Sequence, residues 1–194
     1  MTEERSTLTK GYDIDGVLAH FVESAIERAN VLGLGQHFPK TPKEWDTYNP
    51  VTSKKAWRAL WNSIGQDVGF WSNIPVIDGI DPKKVDADIY VTSRGIPTWV
   101  TQKWLFDNGF REAPVVTVRP RKIDGVWTTT SKIPTMLEFG IHIFLDDKHE
   151  TFMEINYNCP TVCYLMDRPT NKREEDGIYS HLRLDDINEF NAFQ

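Results

Sequence analysis

One stretch decides the fold: Gly11-Tyr12-Asp13-Ile14-Asp15-Gly16-Val17-Leu18. A short apolar run gives way here to two carboxylates one residue apart, and then to a glycine and a helical pattern. Side chains at i and i+2 of an extended segment share a face, so Asp13 and Asp15 lean toward one volume just past the end of a strand. Such a pair binds a divalent cation, divides the roles of nucleophile and acid/base, or does both.

Length and composition limit the class of protein. The chain has 194 residues, a net charge of -6, and a content that is 40% hydrophobic and 26% charged, which suits one core with a small appended subdomain. The net charge disfavours nucleic acid as a partner, because that binding needs an excess of Lys and Arg on one face. We find no long apolar run and no basic-then-apolar leader, so we expect no membrane span, no signal peptide and a cytoplasmic location.

Apolar periodicity predicts the order of the elements. Residues 19–32 form a helix, and the Trp-rich segment that follows to residue 75 has a second helix at 53–64 and no strand, which indicates a helical insertion. Strands and helices then alternate, which predicts a parallel sheet wrapped by helices, with ligands at the carboxyl ends of the strands. The predicted strands are 8–13, 89–92, 115–118, 141–145 and 161–165, and the later helices are 97–108, 133–140 and 186–193.

Polar residues follow three of these strands at the point where each one ends. They are the pairs Asp13/Asp15, Thr92/Ser93 and Asp146/Asp147, and Lys132 comes just before the helix that leads to the last pair. In a parallel sheet these groups converge on one rim, where they suit phosphoryl transfer. One carboxylate attacks phosphorus and a second protonates the leaving oxygen, while Mg²⁺, the hydroxyls and the lysine neutralise the phosphate.

These residues, in this order and spacing, resemble the four motifs of the haloacid dehalogenase superfamily of phosphohydrolases. Within it the chain looks most like the 5'(3')-deoxyribonucleotidases of cytosolic and mitochondrial type and their bacterial and phage relatives. The likeness spans roughly residues 8 to 190. Its three segments are residues 13–21 (DIDGVLAHF), Gly69-Phe70-Trp71 followed by Ile74-Pro75-Val76, and Phe144-Leu145-Asp146-Asp147-Lys148.

The resemblance implies an α/β fold: a Rossmann-like, three-layer, parallel-sheet core with a small α-helical cap inserted after the first strand. The core would comprise residues 1–18 and 76–194, and the cap residues 19–75. The implied activity is that of a Mg²⁺-dependent phosphoric monoester hydrolase of 5'-nucleotidase type. Its substrate would be a small molecule, a deoxyribonucleoside or ribonucleoside monophosphate, and the reaction would pass through an aspartyl-phosphate.

The resemblance also assigns roles to single residues. Asp13 would be the nucleophile and a Mg²⁺ ligand, and Asp15 the acid/base, reaching Mg²⁺ through its backbone carbonyl. The metal site would be completed by Asp146 and Asp147, the phosphate held by Thr92, Ser93 and Lys132, and the substrate faced by Phe21, with Trp45, Phe70 and Trp71 as candidates to stack on a base.

Several alternatives stay open. Arg94 stands where the family has proline, and adds a cation beside the phosphate or is merely a solvated side chain. Lys122 competes with Lys132 as the phosphate lysine. Other functions consistent with the sequence are a phosphatase for another small phosphoester or for a polynucleotide 3'-phosphate, and a nucleotide-binding module without turnover. Whether the chain forms a homodimer is not decided by its sequence.

Overall fold

A parallel sheet forms the centre of the fold. The computed structural model describes residues 8–42, 54–119, 131–171 and 177–193, and the backbone alone of 122–123 and 126–127. The strands described are β1 (Lys10–Tyr12), β2 (Ile89–Thr92), β3 (Val115–Thr117), β4 (Lys122–Ile123), β5 (Val126–Trp127), β6 (Ile143–Asp146), β7 (Val162–Met166) and β8 (Arg183–Leu184). Six of them pair in the order β3-β2-β1-β6-β7-β8, all parallel, and β4 and β5 form a separate antiparallel pair.

Helices connect the strands. They are α1 (Phe21–Val31), α2 (Lys54–Ile64), α3 (Val68–Ser72), α4 (Thr98–Asp107), α5 (Ile133–Glu138), α6 (His149–Asn158) and α7 (Ile187–Asn191). Short 3-10 turns lie at Gly35–His37, Pro82–Lys84 and Gly177–Leu182. The predicted α/β fold with a parallel sheet flanked by helices is confirmed. Within the described part of the chain, no helix is both long and apolar enough to cross a membrane.

The central strands are buried, as expected for a parallel sheet covered on both faces. All the residues of β1, β2 and β6 are buried. Gly11 lets β1 approach its neighbour, because a Cβ there would lie 2.7 Å from the Phe144 ring. In the sheet β1 lies between β2 and β6, so its carboxyl end is flanked by the carboxyl ends of both neighbours.

The helical insertion lies between β1 and β2 and contributes α1, α2 and α3. Its two connections to the sheet run side by side, since Ala19 bridges Val76 and the His20 N–H donates to the Pro75 carbonyl at 2.9 Å. This contact lies next to the predicted boundaries of the cap. The division into a core of 1–18 and 76–194 and a cap of 19–75 stays a prediction.

Candidate active site

The candidate site lies at the carboxyl ends of three neighbouring strands. Asp13 follows β1, Thr92 ends β2 and Asp146 ends β6. The strand register places Tyr12 beside both Tyr90 and Leu145, so these ends lie next to one another. A cavity of about 700 Å³ opens at this edge and reaches the helical insertion. The residues of interest that line it are Asp13, Asp15, Gly16, Phe21, Trp61, Trp71, Ser93, Arg94, Lys132, Asp146 and Asp147.

Three carboxylates gather at the base of the cavity. One oxygen from each of Asp13, Asp146 and Asp147 lies within 4.8 Å of the other two. Lys132 Nζ donates to Asp146 Oδ2 at 2.7 Å and lies 3.0 Å from Asp13 Oδ2. Asp146 Oδ1 accepts a further bond from the Lys148 N–H at 2.8 Å. The cluster therefore sets three carboxylates against one buried ammonium.

This charge balance shifts the pKa values of the cluster. Burial raises the pKa of Asp13 to about 7, and Asp146 and Asp15 add to the rise while Lys132 opposes it. Burial and the neighbouring Asp146 and Asp13 also raise the pKa of Asp147. Burial alone would lower the pKa of Lys132, but the two carboxylates beside it raise that pKa instead. The cluster thus favours the protonated forms of Asp13 and Asp147 more than an exposed site would.

The carboxylate cluster fits a magnesium ion. Oδ1 of Asp13 is buried and has no hydrogen-bond partner among the described residues. A buried carboxylate oxygen without a partner is costly, and converging carboxylates are the hard ligands that Mg²⁺ takes. Three of the four predicted metal residues are brought together in this way. The Asp15 side chain points elsewhere, and its role through a backbone carbonyl stays a prediction.

Gly16 makes the close approach of the turn and the metal loop feasible. Its φ is +81°, and a Cβ at this position would collide with the Asp147 carboxylate. Only glycine both adopts this conformation readily and leaves the room. The glycine of the opening motif thus sets the spacing between the loops that follow β1 and β6.

Lys132 lies beside the carboxylate cluster, and its predicted contact with phosphate stays a prediction. It lies immediately before α5, is 3% exposed and lines the cavity. The side chain of Lys122 lies outside the described part of the chain.

Asp15 is paired with Arg94 rather than with the carboxylate cluster. Arg94 Nε lies 3.1 and 3.0 Å from the two Asp15 oxygens, and Nη2 lies 2.7 Å from Oδ1. Arg94 is only 2% exposed, so the alternative of a solvated side chain is wrong. Its guanidinium carbon lies 5.2 Å from the Trp71 ring centroid and 5.1 Å from that of Trp104.

The two hydroxyl residues at the end of β2, Thr92 and Ser93, differ in position. Ser93 is exposed and lines the cavity. Thr92 is fully buried, and its Oγ1 accepts a hydrogen bond from the Arg94 N–H at 3.3 Å. In this conformation Thr92 shapes the turn, and its predicted contact with phosphate stays a prediction.

Aromatic rings from the insertion form one wall of the cavity. Phe21 stacks between Trp71, with centroids 5.5 Å apart, and Trp61, at 6.0 Å. Phe70 is 8% exposed and packs edge-on against Phe21 and Trp71 from behind. Trp45 lies outside the described residues. Phe21 and Trp71 line the cavity and Phe70 packs behind them, and the contact of all three with substrate stays a prediction.

Trp61 is a cavity residue that sequence reasoning did not select. The buried face of α2 carries Ala56, Leu60 and Ile64, and Trp61 follows Leu60, one step around the helix, with 43% of its surface exposed. The signal available in the sequence was this position: a Trp just off the apolar stripe of an amphipathic helix is free to face a cavity.

A second missed feature is the loop after β7, which braces the site. Arg168 donates from Nε to the Gly16 carbonyl at 2.6 Å and from Nη2 to the Val17 carbonyl at 3.0 Å. Asn171, fully buried, donates to the Asp147 carbonyl at 2.7 Å. These bonds join segments distant in sequence, and no local pattern indicated them.

Comparison with known proteins supports the fold. No family model matches the chain, and no curated protein matches it. A solved structure of a predicted phosphoglycolate phosphatase from Haemophilus somnus 129PT is similar, with 12% identity, 94% of this chain and 96% of that chain covered, and a TM-score of 0.53. A protein of Clostridium difficile provisionally described as a phosphatase has 14% identity, coverage of 94% and 90%, and a TM-score of 0.43. The first likeness agrees with an α/β fold built on a parallel sheet flanked by helices.

Proposed function

We propose that this chain is a Mg²⁺-dependent phosphomonoesterase that acts on deoxyribonucleoside or ribonucleoside monophosphates. One observation carries the proposal: Asp13 stands at the end of the central strand with an unpartnered oxygen, within 4.8 Å of two further carboxylates and 3.0 Å from a buried lysine. This arrangement offers a nucleophile, a place for a divalent cation and a fixed positive charge in one cavity.

The reaction would proceed in two displacements. An oxygen of Asp13 attacks phosphorus, the bond from phosphorus to the ester oxygen breaks, and Asp15 gives a proton to the departing oxygen. Water then attacks the phosphorus of the aspartyl-phosphate, Asp15 takes a proton from that water, and inorganic phosphate leaves as Asp13 is restored. Lys132 would stabilise charge on the phosphate oxygens throughout. A bound Mg²⁺ would offset the repulsion between the carboxylates and the phosphate.

The aromatic wall is the basis for proposing nucleotides. Trp61 keeps 43% of its surface exposed, so a nucleobase entering the cavity would pack against this wall, and stacking contributes about 1–3 kcal/mol per base. The cavity of about 700 Å³ falls within the roughly 300–1,000 Å³ range typical of small-ligand sites. Both features favour a small aromatic substrate over a polymer.

A phosphate-release screen tests the proposal. The substrates are nucleoside and deoxynucleoside 5'- and 3'-monophosphates, a sugar phosphate, 2-phosphoglycolate and a 3'-phosphorylated oligonucleotide, each with Mg²⁺ and with EDTA. We expect nucleoside monophosphates to have the highest kcat/KM, with release lost in EDTA. Asp13→Asn should reduce release to background, whereas Asp107→Asn should leave it unchanged, because that exposed carboxylate on α4 pairs with Lys103 at 2.7 Å and does not line the cavity.

Three other results would contradict the mechanism, the substrate or the enzymatic activity proposed here. Activity retained by Asp13→Asn would refute the covalent mechanism. Preference for 2-phosphoglycolate or the oligonucleotide would replace the nucleotide substrate with the corresponding phosphoester. Calorimetry that finds tight nucleotide binding without release of phosphate would identify a binding module.

A further inference from the structure

Arg94 is confined on three sides within the core of the site. Its guanidinium packs against the ring of Trp71, which belongs to α3, and against the ring of Trp104, which belongs to α4. The third side faces Asp15, whose side chain keeps 20% of its surface exposed while that of Arg94 keeps none. A planar guanidinium packed against two indoles has little freedom to rotate. The direction of its N–H donors, which form a rigid fork, is therefore set by the surrounding fold.

The fork fixes the Asp15 carboxylate in turn. Three N–H to oxygen contacts of 2.7 to 3.1 Å occupy both of its oxygens. Charge-assisted contacts of this kind carry geometric specificity as well as energy, and a lysine offers no equivalent fork. Asp15 therefore has one preferred orientation, given by a residue 79 positions away.

Holding a buried guanidinium here is costly. Nη1 of Arg94 is buried and finds no hydrogen-bond partner within the described ranges. An apolar side chain between two indoles would avoid this desolvation, and buried ion pairs are often no more stabilising than apolar replacements. A stability-neutral or costly arginine beside a carboxylate at a cavity indicates a functional task.

We propose that Arg94 is a positioning residue that orients Asp15 for proton transfer to the departing oxygen. The proposal rests on the function proposed above, in which Asp15 is the acid/base. Because Trp71 contacts both Arg94 and the cavity-lining Phe21, the orientation of Asp15 also depends on the packing of α3. Arg94 itself need not touch the reacting atoms.

The test uses two esters of similar size to separate a loss of proton donation from a general loss of activity. A benzyl phosphate releases a basic alkoxide that needs a proton, whereas p-nitrophenyl phosphate releases a stable phenolate. For each, kcat/KM reports the steps up to phosphoryl transfer to Asp13. We expect Arg94→Met to lower kcat/KM for the benzyl ester by about 10²-fold, within the roughly 10²–10⁴-fold range of general acid catalysis, and to affect the aryl ester far less.

Controls are available in the same chain. Arg94→Lys keeps the charge but not the fork, and should fall between wild type and Arg94→Met. Arg111→Lys is a matched control, because Arg111 Nη1 lies 3.7 Å from Asp88 Oδ1 and the residue does not line the catalytic cavity. It should leave both esters unchanged. In an Asp15→Asn background, Arg94→Met should cause no further loss on the benzyl ester.

Defined outcomes would overturn the inference. Equal losses on both esters, or an additional loss in the Asp15→Asn background, would show that Arg94 does not act by orienting Asp15 for proton donation. If Arg94→Met fails to fold, Arg94→Lys carries the same comparison. Wild-type protein inactive on every phosphoester would refute the proposed function instead. A crystal structure of Arg94→Lys tests the structural part separately: an Asp15 carboxylate left in its original orientation contradicts the orienting role of Arg94, and a displaced one supports that role without supporting proton transfer.

Discussion

At the scale of the residue, Gly16 allows the loop after β1 to lie close to the loop after β6. We predict that Gly16→Ala lowers the free energy of unfolding and weakens Mg²⁺ binding. The Cβ would collide with the Asp147 carboxylate, and alanine would be strained at a φ of +81°. Strain of this kind costs about 1–2 kcal/mol for an L-residue, and displacement of Asp147 adds to it. Denaturant unfolding and Mg²⁺ calorimetry measure the two effects.

Gly79 provides the control for backbone strain alone. Its φ is +84°, and a Cβ there would meet nothing within 4 Å. The strain in Gly79→Ala should therefore lower the free energy of unfolding by a similar amount. The Mg²⁺ affinity of this variant should not change. Equal Mg²⁺ affinities of the two alanine variants would contradict the role given to Gly16.

At the scale of the element, α3 depends on its N-cap. Asp67 accepts the Phe70 N–H at 3.0 Å and pairs with Arg28 at 2.7 Å, and these contacts lower its pKa, the backbone bond most. We predict that Asp67→Ala lowers the free energy of unfolding by about 0.5–2 kcal/mol, the usual cost of a lost cap. Because α3 carries Trp71, the variant should also raise KM for a nucleoside monophosphate.

Asp186→Ala is the matched variant for that prediction. Asp186 caps α7 by accepting the Asn188 N–H at 2.9 Å, and it does not line the catalytic cavity. Asp186→Ala should lower the free energy of unfolding, measured with denaturant, by an amount comparable to that of Asp67→Ala. Its KM should not change. If both variants raise KM equally, the effect comes from global stability and not from the aromatic wall.

Apolar patterns predicted most of the helices and the central strands, whereas α3, α6 and β8 were not predicted. α1, α2 and the strands β2 and β7 lie within about two residues of their predicted positions, because burial of one face or both leaves a periodic pattern. α3 has five residues and β8 has two, too few for any period to be recognised. Such elements are stabilised by tertiary contacts, for example the pairing of β8 with β7.

The residues of the candidate site also divide into those that the sequence predicted and those that it did not. Asp13 and Asp146 were predictable because each directly ends or follows an apolar strand, and parallel strands bring such ends together. The partner of Arg94 was not, because Asp15 lies 79 positions away and the pairing depends on how two indoles enclose the guanidinium. The bracing by Arg168 spans 152 positions to Gly16 and has no local signature either.

At the scale of the whole molecule, the buried carboxylates couple folding to pH. The folded-state pKa of Asp13 is about 7 and that of Asp147 is also raised, both mainly by burial, whereas an unfolded Asp titrates near 3.9. Between about pH 4 and 7 the folded state therefore binds more protons than the unfolded state, and the free energy of unfolding falls as pH rises through this window. Asp67 and Asp186, with lowered pKa values, contribute in the opposite sense and at lower pH, where their stabilisation is lost on acidification.

This linkage predicts how Mg²⁺ affects stability. Protons and the cation compete for the same carboxylates, so added Mg²⁺ should raise Tm strongly at pH 8 and little at pH 5. A concentration 100 times the Kd would contribute about 2.7 kcal/mol at the higher pH. Thermal unfolding in EDTA and in MgCl₂ at several pH values measures the effect, with NaCl at matched ionic strength to account for screening. Asp147→Asn should reduce the Mg²⁺ shift at pH 8, whereas an equal Mg²⁺ shift in Tm at pH 5 and pH 8 would exclude the carboxylate cluster as the binding site.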